Sequence, residues 1–402
     1  MSRAVPPIIC LSVAAMSLAL VAAPARAAGP GQRPELQQRL EQVVAAGAPG
    51  VVALVNDGSR SGDRHRIWTG ASGVADLRSG RPMRPHDGFR AGSLTKTFVA
   101  TVVLELVAEG KLSLSDTVGR WLPGILPYGD QITVRQLLNH TAGVPDSFIP
   151  KRQLYQEGIR FRSWTPRELV ALVADQPQLF PSGSAWSYSN FGYVLAGLVA
   201  EAVTGQSLGD EMARRILRPL GLRHTYFPVD FPLLAGPHAR GYSLALDDDL
   251  NPIEGPLLDF TVYNPSAIWA AGNLVSNEQD LARFFRALLG GELLPGALLA
   301  EMKRPFPVFP GFGYGLGLFV IDSPCGTVFG HEGGVPGFGN WMLNSGNGSR
   351  QFGVMINAED APAGASDLFT TLALDQGIRE AFAGQPCAAA EPVAPQALRH
   401  GF

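Results

Sequence analysis

The chain has 402 residues, 46% hydrophobic and 17% charged, which is enough apolar material for a sizeable core. Its net charge is −3, so it has no basic field to hold a nucleic acid or an anionic membrane, and both partner classes are set aside. Only four lysines are present (Lys96, Lys111, Lys151, Lys303), and arginine supplies the remaining positive charge.

Residues 1–27 read as a signal peptide. Arg3 gives a short positive start, residues 8–21 form an apolar run too short for a comfortable membrane span, and Ala25-Arg26-Ala27 is a small-x-small cleavage site. The rival is an uncleaved anchor; the short run and Pro24 speak against it. Cys10 lies inside the run, without the small-residue context of a lipoprotein cysteine. No later segment is long and apolar enough to span a bilayer, so a secreted or periplasmic chain without a stable membrane span is expected. The two remaining cysteines, Cys325 and Cys387, are compatible with one disulfide or with two free thiols.

Residues 34–46 carry Leu36, Leu40, Val43 and Val44 at helical spacing. The run Val51-Val52-Ala53-Leu54-Val55 reads as a buried strand, Asn56-Asp57-Gly58 as a turn, and residues 66–70 as the partner strand. A buried helix is expected over 94–109, apolar on most sides and ended by Gly110. Residues 121–258 read as helix and loop, with helices near 133–138, 166–174 and 192–203. Another helix is expected over 276–289, capped by Ser276. Short strands follow at 314–321, 326–330, 338–344 and 352–357, then a helix over 367–382. Residues 388–402 have no pattern that can pack and read as a disordered tail. The fold class is therefore α+β: an antiparallel sheet of about five strands flanked by helices, plus a helical lobe, with chemistry in the cleft between them. One hydrolase domain over 28–387 is expected.

Three motifs carry chemistry. In Ser93-Leu94-Thr95-Lys96 the serine and lysine share one helix face, and a buried lysine has the lowered pKa that a base needs. Ser93 also sits at the helix start, where unpaired N–H groups favour negative charge. Tyr188-Ser189-Asn190 precedes a helix; tyrosine relays a proton if a nearby cation lowers its pKa, and asparagine orients an amide. Gly330-His331-Glu332-Gly333-Gly334 ends a strand, where glycines let a substrate backbone approach and histidine offers charge or a proton. Zinc would need a second histidine at position 335, which is Val335, and the other histidines (His65, His86, His140, His224, His238, His400) form no metal spacing. No metal or cofactor is expected. Each motif alone has a bland reading as cap, loop or strand end; the three in this order are far more specific.

In these motifs the chain resembles the serine β-lactamase and penicillin-binding-protein superfamily over about residues 37–386. It is most similar to secreted D-alanyl-D-alanine carboxypeptidases and class C β-lactamase-like esterases. Further similar stretches are Phe89-Arg90-Ala91-Gly92, residues 132–140 with Thr141-Ala142-Gly143, and Tyr314-Gly315-Leu316-Gly317-Leu318. The resemblance implies that Ser93 attacks a carbonyl to form an acyl-enzyme, Lys96 accepts its proton, Tyr188 shuttles the proton, Asn190 holds the acyl side chain, and His331 aids the electrostatics. It implies an oxyanion hole from the backbone N–H groups of Ser93 and Gly334, close substrate approach at Gly333, and a Cys325–Cys387 bridge. His140 and Thr141 read as structural.

The pattern departs in one place. The carboxypeptidases have threonines around the third motif, holding a substrate carboxylate; here Glu332 and Gly334 stand there. Arginines on the strand after their Gly-Leu-Gly-Leu run are replaced by Phe319-Val320-Ile321. A glutamate about 4 Å from a carboxylate repels it by roughly 1 kcal/mol in water and several times more in a drier cleft. That disfavours a free D-alanine terminus and suits an ester, a neutral amide or an amine-bearing substrate, unless Glu332 turns to solvent. The competing functions are a hydrolase acting on a small-molecule or peptide substrate (a peptidoglycan stem peptide or β-lactam included), an esterase or D-amino-acid-specific amidase, and a non-catalytic peptidoglycan-binding protein. Against the last stand the intact Ser93, Lys96 and Tyr188.

Overall fold

The computed structural model describes residues 33–61, 64–146, 159–247, 252–359, 361–382 and 387. The expected signal peptide and tail lie outside these residues.

Strands are β1 (Gly50–Ser61), β2 (Arg64–Asp76), β3 (Arg81–Pro82), β4 (Phe89–Arg90), β5 (Tyr242–Leu246), β6 (Pro252–Asp259), β7 (Val275–Ser276), β8 (Phe306–Phe309), β9 (Phe312–Tyr314), β10 (Phe319–Ser323), β11 (Gly326–Val335), β12 (Phe338–Asn344) and β13 (Gln351–Ile356). The main sheet has nine strands among the described residues, ordered β3-β2-β1-β13-β12-β11-β10-β9-β8, rather than the five expected. Its adjacent pairs are antiparallel. The early hairpin does join the late strands, through Val51 opposite Ile356 to Asn56 opposite Gln351.

Strand β1 is an unbroken apolar run because both its faces are covered. Val51, Ala53 and Val55 pack in one core with Leu36 and Leu40 of helix α1 (Pro34–Ala45) and with the C-terminal helices, while Val52 and Leu54 pack in the other core. That second core holds helix α2 (Leu94–Ala108), helix α3 (Asn190–Thr204) and helix α4 (Glu278–Leu289). Helix α2 is buried nearly all round, as its sequence required. Phe98 stacks on Phe284 of α4 with ring centroids 3.6 Å apart. Arg215 receives carboxylates from Glu105 and Glu109 near the end of α2, and from Glu211.

Several local expectations need correction. Asn56-Asp57-Gly58 is not the turn: β1 runs on to Ser61, and the register shifts between Asn56 and Arg60, with Gly58 at φ +80°. Turn-type residues there make a bulge, which uses the same left-handed backbone. Residues 314–321 do not form one strand but end β9, turn at residues 315–318, and begin β10. The N-cap of α4 is Asn277, which accepts from the Asp280 N–H, while Ser276 ends β7. The middle of the chain also contains the β5–β6 hairpin, where only helix and loop were expected. Cys325 and Cys387 are placed as a disulfide, with Cα atoms 4.2 Å apart.

Glu278, at the first turn of α4, is fully buried against Gly353 of β13. Neither carboxyl oxygen has a hydrogen-bond partner among the described residues, and burial pushes its pKa well above the ordinary 4.5. Below pH 4.5 the folded and unfolded chains both hold this proton. As pH rises, the unfolded chain loses it while the folded chain keeps it, so stability falls by about 1.4 kcal/mol per pH unit until the folded pKa is reached. We expect Glu278→Gln to lose less Tm than the parent between pH 5 and pH 8, and to be the more stable at pH 8. Parallel Tm–pH curves would show that this carboxyl is not the buried acid described.

Candidate active site

Ser93 sits where a two-stranded ribbon meets the start of α2. Phe89 and Arg90 of β4 pair with Ser276 and Val275 of β7, and the Ala91 N–H donates to the Leu274 carbonyl at 2.8 Å. Gly92 then turns the chain at φ +55°, and Ser93 caps α2. Glycine is required at 92 for two reasons: the left-handed backbone, and contact with β11, where a side chain would lie 2.9 Å from the Gly334 nitrogen. Gly333 presses on the same segment from the other side, so that a side chain there would run into the Ala91 carbonyl. Asn340 of β12 fastens the junction, donating to the Arg90 carbonyl at 3.1 Å and to the Gly333 carbonyl at 3.0 Å.

Strand β11 pairs with β10 only as far as Gly330, while its pairing with β12 continues to Val335. Among the described residues, 331–335 therefore have one edge without a partner strand. An extended substrate can pair with such an edge.

Lys96 is one helical turn after Ser93 and fully buried. Its Nζ lies 2.8 Å from Ser93 Oγ, 2.8 Å from Asn190 Oδ1 and 2.7 Å from the Ala271 carbonyl. The Asn190 amide is oriented by its Nδ2, which donates to Asp146 Oδ2 at 2.8 Å, so Oδ1 must face the lysine. A neutral amine has two hydrogens and one lone pair. Asn190 Oδ1 and the Ala271 carbonyl can only accept and take both hydrogens, which leaves the lone pair for the Ser93 hydroxyl. Burial pulls the Lys96 pKa down from 10.5 to about 7, against the pull of Asp146 and Glu332, which favour the ammonium.

Tyr188 is brought beside this pair. Lys96 Nζ is 4.7 Å from the centre of its ring, and Ser93 is the hydrogen-bonding neighbour that favours its phenolate. Burial outweighs this and raises the phenol well above 10, with Glu332 and Asp146 adding to the effect. The tyrosine is therefore a neutral phenol: the condition of a cation-lowered pKa is not met, because burial dominates. Ser189, not Asn190, caps α3, accepting from the Gly192 N–H, and this frees Asn190 to face the lysine.

His331 is fully buried. Its Nδ1 is 2.6 Å from the Glu332 carbonyl, an acceptor only, so Nδ1 carries the proton and Nε2 accepts from the Tyr314 hydroxyl at 2.8 Å. Burial, with the Lys96 charge nearby, pushes its pKa down to about 3. The imidazole is thus neutral at physiological pH and supplies no positive charge. Glu332 is half-buried, and its carboxylate acts on Lys96, Tyr188 and Tyr314, which places its charge at this centre.

Sequence reasoning missed Asp146, the Ala271 carbonyl and Asn340, and did not place His140 beside Tyr188, where the ring centroids lie 4.3 Å apart with the planes tilted by 37°. The run His140-Thr141-Ala142-Gly143 was noticed as a likeness, and Asp146 lies three residues beyond it.

Comparison with known proteins agrees with this geometry. The Beta-lactamase family profile matches residues 36–375. The chain is 31% identical to Esterase EstB of Burkholderia gladioli, over 70% of this chain and 81% of that protein. It is 30% identical to Penicillin-binding protein 4* of Bacillus subtilis over 67% of this chain, spanning 61% of that longer protein. Among solved structures, a D-stereospecific amidohydrolase from Streptomyces sp. superposes with a TM-score of 0.75 at 38% identity, covering 86% of this chain and 99% of that one. With its serine, lysine and tyrosine gathered at one point and the family match spanning most of its length, the chain belongs to the Beta-lactamase family and is a serine hydrolase.

Proposed function

We propose that Ser93 is the nucleophile, Lys96 its base, and the substrate an amide or ester of an amino acid with a free ammonium group, D-amino-acid amides foremost. The observation that carries the reading is the Lys96 amine, buried with its lone pair left for Ser93 Oγ. As Oγ attacks the carbonyl, Lys96 takes its proton, and the backbone N–H groups of Ser93 and Gly334 receive the developing oxyanion; one such donor is typically worth about 3 kcal/mol. Tyr188, as a neutral phenol, passes its proton to the leaving amine or alkoxide and takes one back from the Lys96 ammonium, which returns both groups to neutrality. The acyl-enzyme is then hydrolysed by water activated along the same path. Asn190 orients the acyl group, Gly333 admits the substrate backbone, and His331 fixes Tyr314 rather than supplying charge.

The ammonium preference rests on Asp146 and Glu332, whose charges both bear on Lys96. A free carboxylate would meet that field unfavourably, which is why carboxypeptidase action is not the leading form. The 38% identical D-stereospecific amidohydrolase supports this choice, and Esterase EstB supports activity on esters. We also propose export from the cytoplasm to an oxidising compartment, in which the Cys325–Cys387 bridge would persist.

Four outcomes are expected. A fluorophosphonate probe should add to the parent chain and not to Ser93→Ala, by intact mass; no addition to the parent would favour a binding protein. In a panel of a D-amino-acid amide, a D-Ala-D-Ala peptide, a p-nitrophenyl ester and a chromogenic cephalosporin, the amide should lead. Glu332→Thr should lower its kcat/KM about ten- to a hundredfold while raising that of the D-Ala-D-Ala peptide. Best turnover of that peptide by the parent would overturn the reading of Glu332. The acylation rate should rise with pH through about 7, as Lys96 loses its proton. Glu332→Thr should move that limb to lower pH, because it removes a charge that holds the proton on. Gly333→Ala should fold and yet lose at least about a hundredfold in kcat/KM, since the new methyl forces β11 away from the Ser93 segment.

A further inference from the structure

We propose that His140 is a positioning residue for Tyr188. The inference rests on the role given to Tyr188 above. His140 grips the chain on both sides of that tyrosine. Its backbone carbonyl accepts the Ser187 N–H at 3.0 Å, and its side-chain Nδ1 accepts the Ser189 N–H at 3.1 Å. Between those two anchors its ring lies 4.3 Å from the Tyr188 ring, centre to centre. One residue therefore fixes the amide before Tyr188, the amide after it, and the face of its ring.

The backbone at 140 is held for this purpose. His140 has φ +61°, a left-handed conformation that residues other than glycine rarely adopt. The conformation turns both the carbonyl and the imidazole of a single residue toward residues 187–189. The side chain is 2% exposed, and Nε2 has no hydrogen-bond partner among the described residues. A histidine kept only to satisfy its own polar groups would not leave that nitrogen bare. Three further aromatic rings surround it: Tyr314 at 4.5 Å, Tyr193 at 5.2 Å and Trp186 at 5.9 Å. Tyr314 in turn donates to His331, so the ring of His140 lies between the two motifs that close on Ser93. Because Nδ1 must accept the Ser189 N–H, only the neutral ring with its proton on Nε2 fits.

Two substitutions separate positioning from folding. His140→Gly relieves the left-handed backbone and keeps the carbonyl bond to Ser187, but removes the ring and the Nδ1 acceptor. His140→Asn tolerates the same backbone and offers a carbonyl oxygen near the place of Nδ1. Both are measured by single-turnover acylation with a D-amino-acid p-nitroanilide, whose amine leaving group needs the proton, normalised to active sites titrated with a fluorophosphonate, alongside Tm. We expect His140→Gly to keep or raise Tm and its titratable sites, to lose about thirty- to a hundredfold in the acylation constant per site, and to hold the substrate half-saturation within about twofold. His140→Asn should recover at least about tenfold of that loss. A per-site constant in His140→Gly within about threefold of the parent overturns the proposal, as does an asparagine variant no faster than the glycine one. Tyr188→Phe is the control: if it acylates at the parental rate, the role of Tyr188 itself is wrong, whatever the His140 variants do.

Discussion

A lysine amine taken fully out of water is the constraint around which this molecule is arranged. Losing solvent disfavours the ammonium, and two carboxylates in the neighbourhood offset only part of that cost. The result is a pKa of about 7 rather than 10.5. The chain needs a nearly all-apolar helix to bury the amine, one asparagine to accept from it, and one main-chain carbonyl to take its second hydrogen. Each of these comes from a different part of the sequence: α2, the start of α3, and residue 271. Closing the site therefore depends on the packing of the second core, in which all three elements meet.

The other half of the arrangement is a contact between backbones. Segment 91–93 and residues 333–334 touch because Gly92 and Gly333 leave no side chains between them. Two peptide N–H groups from elements far apart in sequence can converge only if the chains come this close. Asn340 spans the seam, binding the Arg90 carbonyl and the Gly333 carbonyl with one amide nitrogen. The long sheet supplies the stiffness. Strand β11 is held by β12 along its whole functional stretch and left open on its other edge, so the open edge is rigid and accessible at once.

Much of this was legible in the sequence, and the reasons are local. A serine and a lysine three residues apart in an apolar helix place both groups on one face, whatever the rest of the chain does. The apolar run of β1 announced a strand covered on both faces. The errors came where a residue type serves two structures. Asn56-Asp57-Gly58 fits a turn or a bulge, and only the length of β2 opposite decides. Ser276 and Asn277 are both good caps, and pairing of Ser276 with Phe89 settles which one ends the strand. The glycines in Tyr314-Gly315-Leu316-Gly317-Leu318 concealed a hairpin because leucines continue the apolar pattern through the turn. Asp146 and the Ala271 carbonyl left no sign, since one lies in a loop and the other is a main-chain atom that every residue has. Whether a cation would lower the Tyr188 pKa was not legible in the motif, because burial acts on the amine and the phenol alike.

That last point bears on how the centre can move protons. One dry pocket drives the amine and the phenol in opposite directions on the pH scale, yet both toward neutrality, because each loses solvation in its charged form. Histidine 331 is driven the same way and held neutral by a carbonyl on one side and a phenol on the other. With amine, phenol and imidazole neutral, no ion pair among these three has to break when the serine is deprotonated. In the proposed reaction new charge appears as the acyl carbonyl is attacked: negative at the backbone N–H groups of Ser93 and Gly334, positive at Lys96. Asp146 and Glu332 already favour that positive charge. At rest the same charges raise the pH at which the free amine becomes available, and during the attack they stabilise the ammonium as it forms. Carboxylates that would repel an anionic substrate thus also assist the proton transfer, so selectivity for a substrate amine and competence of the base have a common electrostatic origin.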